Sequence, residues 1–283
     1  MEKIEIGNAT LYHGDCFNVL ESLEDGSIDN VISDPPYATE SFGKCTACEW
    51  DKPVPLNEFW KLIQRKTKPS ANIVLFGNMK LAYDLIDTNK EGFRYDLVWA
   101  KNNRVGFFNA NLQPLRSHEN VLLFCNKPGN MLASTYNPQK TYGGRLFVER
   151  TATRKEGGVY PPRKAYTSRC ADGMTHPHSI LSFDHDRGCN LPEKCLHPTM
   201  KPLQLLRWLI LSYSNPGDVI LDPFMGSSTT GEAAVRLGRR FIGIERERSY
   251  FDIACRRLGA VQQEANLLPD DVDTFEGVET QAS

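Results

Sequence analysis

The chain has 283 residues, enough for one large α/β domain with an insert or for two small domains. Its 40% hydrophobic and 24% charged residues are typical of a globular protein, and no apolar run approaches the length that spans a membrane. Because residues Met1 to Glu5 do not begin a signal peptide, we expect a cytoplasmic protein.

The formal net charge of −2 conceals two segments of opposite sign. Residues 264–283 hold six acids and no Lys or Arg, so we expect an acidic, disordered tail over 263–283. Residues 139–169 hold eight basic residues against two acids, with Tyr, Gly and Pro between them. This composition suits a loop-rich surface that contacts phosphates and bases, and it also suits a merely solvated basic loop.

Apolar runs alternate with amphipathic stretches, which predicts βαβ units around a mostly parallel sheet. The predicted strands lie near residues 9–13, 29–33, 71–76, 94–100, 119–125, 218–222 and 240–244. The predicted helices lie near residues 15–23, 56–67, 78–89, 202–214, 228–238 and 249–260. Residues 127–196 have few periodic runs and many turn residues, so we interpret them as a recognition insert between the two halves of one domain, 1–126 and 197–262.

The first motif with chemical meaning is Asp34-Pro35-Pro36-Tyr37, which follows an apolar strand. The Asp34 carboxylate and the Pro35 carbonyl can accept the two hydrogens of an exocyclic amino group, and Tyr37 can stack on the ring that carries the amine. Pro36 fixes the turn and so holds these acceptors rigidly. A Pro-Pro turn after a strand is also common, so the tetrapeptide alone leaves an ordinary turn open.

Cys45 and Cys48 form a Cys-x-x-Cys pair, which Cys189, Cys195 and His185 could complete as a zinc site. One such pair without a well-spaced second pair is a weak signal. We therefore expect free thiols in a reducing compartment and no required metal.

A second motif begins where the apolar strand 218–222 runs into Pro223-Phe224-Met225-Gly226-Ser227, with a helix from about Ser228. Gly226 lets the backbone approach a ligand closely, and the helix start offers free N–H groups. Glu245 ends the next strand, where such folds bind a ribose diol. The pattern predicts a nucleoside-containing ligand, and an ordinary strand–loop–helix with a solvated Glu stays open.

Taken together, these motifs resemble the β-class DNA amino-methyltransferases over most of residues 10–260. The resemblance is carried by Asp34–Tyr37, His197–Pro202, Asp222–Ser227 and Gly243–Glu245, in that order. It is closest to the phage-borne and solitary bacterial adenine enzymes, which Cys48–Asp51, Gln113–Glu119 and Tyr136–Gln139 also fit. One departure is Ser228, which stands where the family usually has a second Gly; a Ser can usually adopt the needed geometry if φ is negative.

The resemblance implies a Rossmann-like, S-adenosylmethionine-dependent methyltransferase fold that is circularly permuted, with an inserted target-recognition region. The catalytic motif precedes the cofactor motif in this chain, whereas the usual methyltransferase sheet begins with the cofactor strand. We expect the strands before Asp34 and before Asp222 to be neighbours in the sheet. The carboxyl ends of these two strands then meet, so the amine and the methyl donor face one another there.

The resemblance also implies S-adenosylmethionine as cofactor and double-stranded DNA as partner, with the target base flipped out of the helix. The implied catalytic residues are Asp34, Pro35, Pro36 and Tyr37. The implied cofactor-binding residues are Asp15 at the adenine, Thr199 and Lys201 at the carboxylate, Glu245 at the ribose, and Asp222, Phe224, Gly226, Ser227 and Thr229 along the methionine. The expected DNA contacts are Trp50, Arg116, Arg145, Arg150, Arg154 and Lys155, with Trp50, Tyr37 and Phe107 as candidates to stack on the base or fill its gap.

Several of these residues have simpler explanations that stay open. Asp15 is also placed to cap helix 15–23, His197-Pro198-Thr199 could merely begin the next helix, and Trp50 could be a core residue.

The activity that we expect is adenine-N6 methylation by a bacterial or phage-encoded, nucleoid-associated enzyme, either a monomer or a homodimer. The cytosine-N4 subgroup is the nearest alternative, but it more often has Ser at position 34, so Asp34 favours adenine. RNA and protein-glutamine methyltransferases carry a related tetrapeptide, but the permuted order and the basic insert argue against them. A catalytically inactive DNA-binding protein is disfavoured by the intact Asp34, Tyr37, Gly226 and Glu245.

Overall fold

The computed structural model describes residues 1–46, 48–49, 51–126, 134–143, 147–152, 166–170, 173–184 and 200–267, with backbone alone over 147–152, over 166–170 and at 267. Its helices are α1 (Cys16–Ser22), α2 (Leu56–Lys66), α3 (Met79–Thr88), α4 (Leu203–Tyr213), α5 (Thr229–Arg236) and α6 (Arg248–Leu267). All six predicted helices are confirmed. A short 3₁₀ turn covers Phe107–Asn109.

Nine strands form the main sheet: β1 (Glu2–Ile6), β2 (Ala9–His13), β3 (Ile28–Ser33), β4 (Thr67–Gly77), β5 (Phe93–Val105), β6 (Arg116–Cys125), β11 (Ile180–Ser182), β12 (Val219–Asp222) and β13 (Arg240–Glu245). The other described strands are β7 (Thr141–Tyr142), β8 (Phe147–Ala152), β9 (Tyr166–Cys170) and β10 (Met174–Thr175), which form the two-stranded pairs β10–β7 and β8–β9. All seven predicted strands are confirmed.

The order of strands across the main sheet is β1-β2-β13-β12-β3-β4-β6-β5-β11. Strands β2, β13, β12, β3 and β4 run parallel to one another, whereas β6 is antiparallel to both β4 and β5. The predicted neighbours β3 and β12 do pair, with Ile220 opposite Asn30 and Leu221 opposite Val31. The ends of these two strands, which carry the two motifs, therefore meet at one edge of the sheet.

Helices cover both faces of the sheet and bury two apolar clusters. Leu205, Leu209 and Phe251 of α4 and α6 pack on one face, and Val19, Phe59 and Leu81 of α1, α2 and α3 pack on the other. This three-layer arrangement is the predicted Rossmann-like α/β fold. No helix among the described residues has the length and apolar character needed to cross a membrane.

The predicted insert is not wholly separate from this core. Its strand β11 joins the main sheet beside β5, with Leu181 opposite Trp99. Asn137 also donates its side-chain amide to the carbonyls of Leu211 and Ser214 at the end of α4. Strand β11 and Asn137 of the predicted insert therefore share the core of the two halves, and the role of the insert in recognition stays a prediction.

The predicted tail begins inside a helix. Helix α6 continues through Leu267, so residues 263–267 are helical where a disordered segment was expected. The physical reason is that residues such as Val261 still pack on the core after Leu258. The acidic residues after 267 lie outside the described part of the chain.

Candidate active site

A cavity of about 460 Å³ opens at the edge of the sheet where β3, β12 and β13 end. This volume lies in the range of small-molecule sites. The predicted site residues that line it are Asp15, Asp34, Pro35, Pro36, Tyr37, Lys201, Asp222, Phe224, Gly226, Ser227, Thr229 and Glu245. The fold thus brings the catalytic and cofactor motifs into one cavity.

The predicted DNA-contacting residues are not part of this cavity among the described residues. Arg116 is exposed at the first position of β6. Arg150 lies in β8, where the structure gives the backbone alone. The remaining predicted DNA contacts, namely Trp50, Arg145, Arg154 and Lys155, lie outside the described residues. The predicted cofactor residue Thr199 also lies outside them.

Asp34 uses one carboxylate oxygen within the protein and leaves the other free. Its Oδ2 accepts from the ammonium of Lys201 at 2.5 Å. Its Oδ1 is buried and has no hydrogen-bond partner among the described residues. Burial raises the pKa of Asp34, while the adjacent Lys201 acts against that rise. Since a buried acceptor without a donor is costly, Oδ1 is suited to receive an N–H from a bound molecule.

Glu119 lies behind Asp34 and connects the catalytic motif to β5 and β6. It accepts from the Tyr37 hydroxyl at 3.1 Å and forms ion pairs with Lys101 and, at 3.3 Å, with Lys201. Burial opposes ionisation of Glu119, but the two ammonium groups outweigh it and lower its pKa to about 2. We identified neither Glu119 nor Lys101 from the sequence, although Glu119 ends a stretch that fits the family.

Lys201 lies against the catalytic acid. Its ammonium contacts Asp34 and Glu119 and lies 5.4 Å from the ring centre of Tyr37 and 5.2 Å from that of Phe76. Burial alone would lower the pKa of Lys201, but the two carboxylates outweigh it and raise that pKa, so Lys201 stays charged. The expected contact with the cofactor carboxylate stays a prediction.

Asp51 organises the loop that follows the catalytic motif. It is fully buried, and its carboxylate accepts from the backbone N–H groups of Ala38 (2.8 Å), Cys45 (3.0 Å) and Thr46 (2.6 Å). Three N–H donors on one carboxylate tie the backbone at Ala38, Cys45 and Thr46 to Asp51. From the sequence, only the family-like stretch Cys48–Asp51 pointed to Asp51.

The thiol of Cys45 takes part in the same loop. Its Sγ donates to the Tyr37 carbonyl and accepts from the Asn78 amide, both at 3.2 Å. Within the described ranges no group of three or more His, Cys, Asp or Glu could hold a metal ion, and Cys189, Cys195 and His185 lie outside those ranges.

The second motif forms a tight loop between β12 and α5. Gly226 has a φ of +52°, a conformation that favours glycine, and its N–H donates to Glu245 Oε2 at 2.9 Å. The N–H of Glu247 donates to Glu245 Oε1 at 2.7 Å. Each carboxylate oxygen keeps a further acceptor site, so Glu245 can still receive hydroxyl groups from the cavity.

Ser228 has a left-handed backbone, with φ +61° and ψ +44°, so the negative φ that would let a Ser fit easily is not met. It is the sole non-glycine residue in that conformation among the described residues. The reason is that the chain must turn from β12 into α5 within a few residues, which places a left-handed residue at the helix start. Its hydroxyl is buried and has no hydrogen-bond partner within the described structure.

Two charged side chains hold this loop in place. Asp222 accepts from Ser33 Oγ at 2.6 Å and from the Phe224 N–H at 3.1 Å, and burial raises its pKa to about 7. Arg257 of α6 donates to the Ser227 carbonyl at 2.8 Å and to Thr229 Oγ1 at 3.1 Å. Arg257 had no signal in the sequence, because it acts from a helix about thirty residues away.

Asp15 has the structure of a helix cap. Its Oδ1 accepts from the N–H groups of Phe17 (3.0 Å) and Asn18 (3.3 Å) at the start of α1. It also lines the cavity, so the cap and the predicted cofactor contact are compatible.

Comparison with known proteins identifies the family. A family model described as DNA methylase matches residues 28–256. The chain belongs to this DNA methylase family. It is 31% identical to the type II methyltransferase M.HinfI of Haemophilus influenzae, over 91% of this chain and 70% of that protein. It is 28% identical to the type II methyltransferase M2.LlaDCHI of Lactococcus lactis subsp. cremoris, over 89% of each.

Solved structures confirm the methyltransferase fold. The M1.HpyAVI–SAM complex matches with a TM-score of 0.55 and 25% identity, covering 88% of this chain and 98% of that one. The cytosine-N4-specific PvuII DNA methyltransferase matches with a TM-score of 0.59 and 18% identity, covering 94% of this chain and 89% of that one. The second likeness is one of fold alone.

Proposed function

We propose that this member of the DNA methylase family transfers a methyl group from S-adenosylmethionine to N6 of adenine in duplex DNA. The observation that carries the proposal is the state of Asp34: one oxygen is fixed by Lys201, and the other is buried, unpartnered among the described residues, and placed beside Tyr37. A carboxylate at this position, rather than the Ser more frequent in cytosine-N4 enzymes, favours adenine.

The residues of the cavity fit S-adenosylmethionine. Glu245 offers acceptors for a ribose diol, and Gly226 leaves its side of the cavity open because it has no side chain. Phe17, Phe224 and Ile244 supply apolar walls for an adenine ring. The acids Asp34 and Asp222 also line the cavity. The solved complex of M1.HpyAVI with SAM supports the same assignment.

When bound, this cofactor supplies an electrophilic methyl group. Asp34 Oδ1 and the Pro35 carbonyl would accept the two amine hydrogens and so direct the nitrogen lone pair into the cavity. Tyr37 would stack on the flipped base while Glu119 fixes its hydroxyl. Because acceptors are already in place, catalysis rests on alignment and on stabilising the developing positive charge.

The substrate follows from the same site. A base within a duplex cannot reach a cavity bounded by Asp34 and Asp222, so it must rotate out of the helix. Arg116 and the basic segment 139–169 are the proposed DNA contacts, with Arg145, Arg150, Arg154 and Lys155 in that segment. The compared relatives come from bacteria, and a DNA substrate would place this protein at the nucleoid. Analytical ultracentrifugation would decide between monomer and homodimer.

The test is product identification. The purified chain is incubated with methyl-labelled S-adenosylmethionine and unmethylated DNA, RNA or no acceptor, and the nucleic acid is digested to nucleosides for mass spectrometry. N6-methyladenine in DNA is the expected product. N4-methylcytosine would overturn the adenine assignment, and label in RNA or in the protein would overturn the DNA substrate.

Asp34→Ala is the matched control for this assay. We expect it to lower the methylation rate by about two to four orders of magnitude, as for loss of an oriented catalytic group, because the amine loses its main acceptor. Cofactor affinity, measured by calorimetric titration, should stay near that of the parent. Normal turnover by Asp34→Ala would remove Asp34 from the catalytic role.

A further inference from the structure

Lys201 is buried among groups that belong to the amine-accepting side of the cavity. Its side chain is 7% exposed, and its ammonium contacts Asp34 Oδ2 at 2.5 Å and Glu119 Oε2 at 3.3 Å. The rings of Tyr37 and Phe76 flank the same ammonium. These partners come from the catalytic loop, β6 and β4, three segments far from Lys201 in sequence.

We propose that Lys201 is a positioning residue for Asp34. Its ammonium anchors Oδ2 of the ionised Asp34 carboxylate and thereby presents Oδ1 to the target amine. The inference rests on the proposed methyl transfer. It differs from the role that the resemblance implies, in which Lys201 lies at the cofactor carboxylate.

The geometry explains why an ammonium is needed here. Asp34, Glu119, Lys101 and Lys201 form a mostly buried set of two acids and two bases, and Glu119 joins both lysines. Buried charges are tolerated when they are paired and hydrogen-bonded, and removing one partner leaves a costly unpaired charge. Without Lys201, Lys101 would still pair with Glu119, but the carboxylate of Asp34 would lose its ammonium partner.

The consequence for Asp34 has a definite sign. The groups that face Asp34 are Lys201, Glu119 of β6, Tyr37 of its own loop and Asp222 of β12. Burial raises the pKa of Asp34, Lys201 and the Tyr37 hydroxyl lower it, and Glu119 raises it. Loss of Lys201 should therefore raise the pKa of Asp34 further, and loss of the Glu119 charge should lower it. A protonated Asp34 is a poorer acceptor and cannot hold the amine as a carboxylate does.

The experiment compares Lys201→Met, Lys201→Arg and Glu119→Gln with the parent. Single-turnover methylation rates at saturating cofactor and DNA are measured against pH, and cofactor affinity is measured separately. In parallel, the Asp34 carboxyl carbon is titrated by NMR in ¹³C-aspartate-labelled protein, with its signal assigned by its loss in Asp34→Asn. The NMR titration reads the ionisation of Asp34 whether or not methylation occurs.

Lys66→Met is the matched control. Lys66 is also buried, 3% exposed, and its ammonium contacts Asp25 at 2.6 Å and the Leu23 carbonyl at 2.6 Å, away from the cavity-lining residues. Its loss should lower the unfolding temperature as a buried-charge deletion does, while the pH dependence of the rate stays that of the parent.

We expect Lys201→Met to lower the single-turnover rate by about 100-fold, the size seen when one oriented stabilising group is lost. In Lys201→Met, the acid limb of the rate-against-pH profile and the midpoint of the Asp34 titration should both move up by about one pH unit or more, as expected when an adjacent opposite charge is removed. Lys201→Arg should keep the parent's acid limb, and Glu119→Gln should move it down. Cofactor affinity should change less than about threefold in Lys201→Met, well below the tenfold that 1.4 kcal/mol represents.

Three results would overturn the inference: an Asp34 titration in Lys201→Met that matches the parent, a large loss of cofactor affinity with an unmoved acid limb, or an upward shift in Glu119→Gln. If Lys201→Met does not fold, Lys201→Arg and Glu119→Gln decide by the same signs. Absence of any DNA methylation by the parent would refute the proposed function instead, and the NMR titration would still decide whether Lys201 controls Asp34.

Discussion

The catalytic acid and its ammonium partner lie far apart in the chain. The charge and orientation of each motif residue therefore depend on side chains that are distant in sequence. Asp34 and Lys201 are 167 residues apart, and Tyr37 and Glu119 are 82 apart. A strand-end acid such as Asp34 or Glu245 can be identified from an apolar run that stops at it, because position at the sheet edge follows from local pattern. Its partners cannot be identified in this way, since Lys101, Glu119 and Arg257 lie inside a strand or a helix without a local signature.

The left-handed backbone of Ser228 in the cofactor loop should lower the free energy of unfolding of the protein. Substituting Ser228→Gly removes the steric penalty of φ +61° and a buried hydroxyl with no partner among the described residues. After the entropy cost of glycine, we expect a gain of about 0.5–1 kcal/mol in the free energy of unfolding. Urea denaturation followed by circular dichroism measures it.

The neighbouring variant Ser227→Gly is the control, because the Ser227 hydroxyl accepts from Arg257 at 3.1 Å and its φ is not left-handed. It should destabilise the protein. A loss of stability in Ser228→Gly equal to that in Ser227→Gly would show that the hydroxyl, and not the backbone, determines the residue at 228.

Asp222 should make stability depend on pH. Burial raises its pKa to about 7 from an ordinary value of 3.8. Between these values the unfolded chain has lost the proton while the folded chain keeps it, so this group's contribution to stability falls as pH rises. The slope is at most about 1.4 kcal/mol per pH unit. Above pH 7 both states are ionised and the contribution is flat.

Asp222→Asn removes this titration but keeps an acceptor for Ser33 and the Phe224 N–H. The free energy of unfolding of the variant, relative to the parent, should rise between pH 4.5 and 7 and then level off. Urea denaturation at half-unit pH intervals gives this difference, in which the other acids cancel. A difference that stays constant with pH would show that Asp222 is ionised throughout.

At the scale of elements, the β5–β6 hairpin links the site to a projecting tip. Lys101 and Glu119 lie beside the catalytic loop in the half of the hairpin nearer the tip, and the tip exposes Phe107, Phe108 and Leu112. The cations Arg104 and Arg116 flank the tip, and no acid lies between Lys101 and Glu119. Exposed aromatic residues beside positive charge suit insertion into DNA where the target base has left the stack.

We therefore expect the triple variant Phe107→Ser, Phe108→Ser, Leu112→Ser to methylate a paired target about tenfold or more slowly. The reason is that the lost stacking, roughly 1–3 kcal/mol per base, no longer offsets the cost of opening the pair. Rates on duplexes with a paired or a mismatched target adenine measure this. The deficit should shrink on the mismatch, where opening costs less.

Ile180→Ser, on the exposed face of edge strand β11, controls for the loss of a surface hydrophobic. Equal deficits on paired and mismatched targets would contradict a role in base opening. A change in sedimentation instead of in rate would indicate that the tip joins two copies of the chain.

The hydrophobic pattern and the length of each helix or strand determined whether it could be predicted from the sequence. Amphipathic helices of seven residues or more and strands with buried apolar runs gave clear periods. Strand β1 was missed because its alternating Glu-Lys-Ile-Glu-Ile is charged on one face and lies at the sheet edge. Strand β11 was missed because three residues are too short for a period to show. The short strands β7 and β10 have two residues each and no signature at all.

For the whole molecule, the permuted chain order is compatible with the site because the sheet order places β3 next to β12 whichever is made first. The first and last described elements of the chain, β1 and α6, are also neighbours. Arg248 at the start of α6 forms an ion pair with Glu2 of β1 at 2.6 Å, and α6 packs on β1 and β2. The order of the two halves should therefore be exchangeable.

The last prediction tests this directly with a chain that begins at residue 191, runs to Ser283, and continues through Met1 to residue 190. Helix α6 is about 30 Å long at 1.5 Å per residue, and its first residue, Arg248, contacts Glu2, so the end of α6 lies roughly that far from Glu2. The sixteen residues from 268 to 283 can span about 50 Å and so serve as the linker. We expect the permuted protein to fold and to bind S-adenosylmethionine within about fivefold of the parent affinity, because the cut interrupts no strand pair and no cavity residue of the described part of the chain. A second permutant opened between Asn72 and Ile73, inside the central strand β4, should fail to fold. If both permutants lose cofactor binding while the parent keeps it, then the order of the halves, and not only their contacts, is needed to build the site.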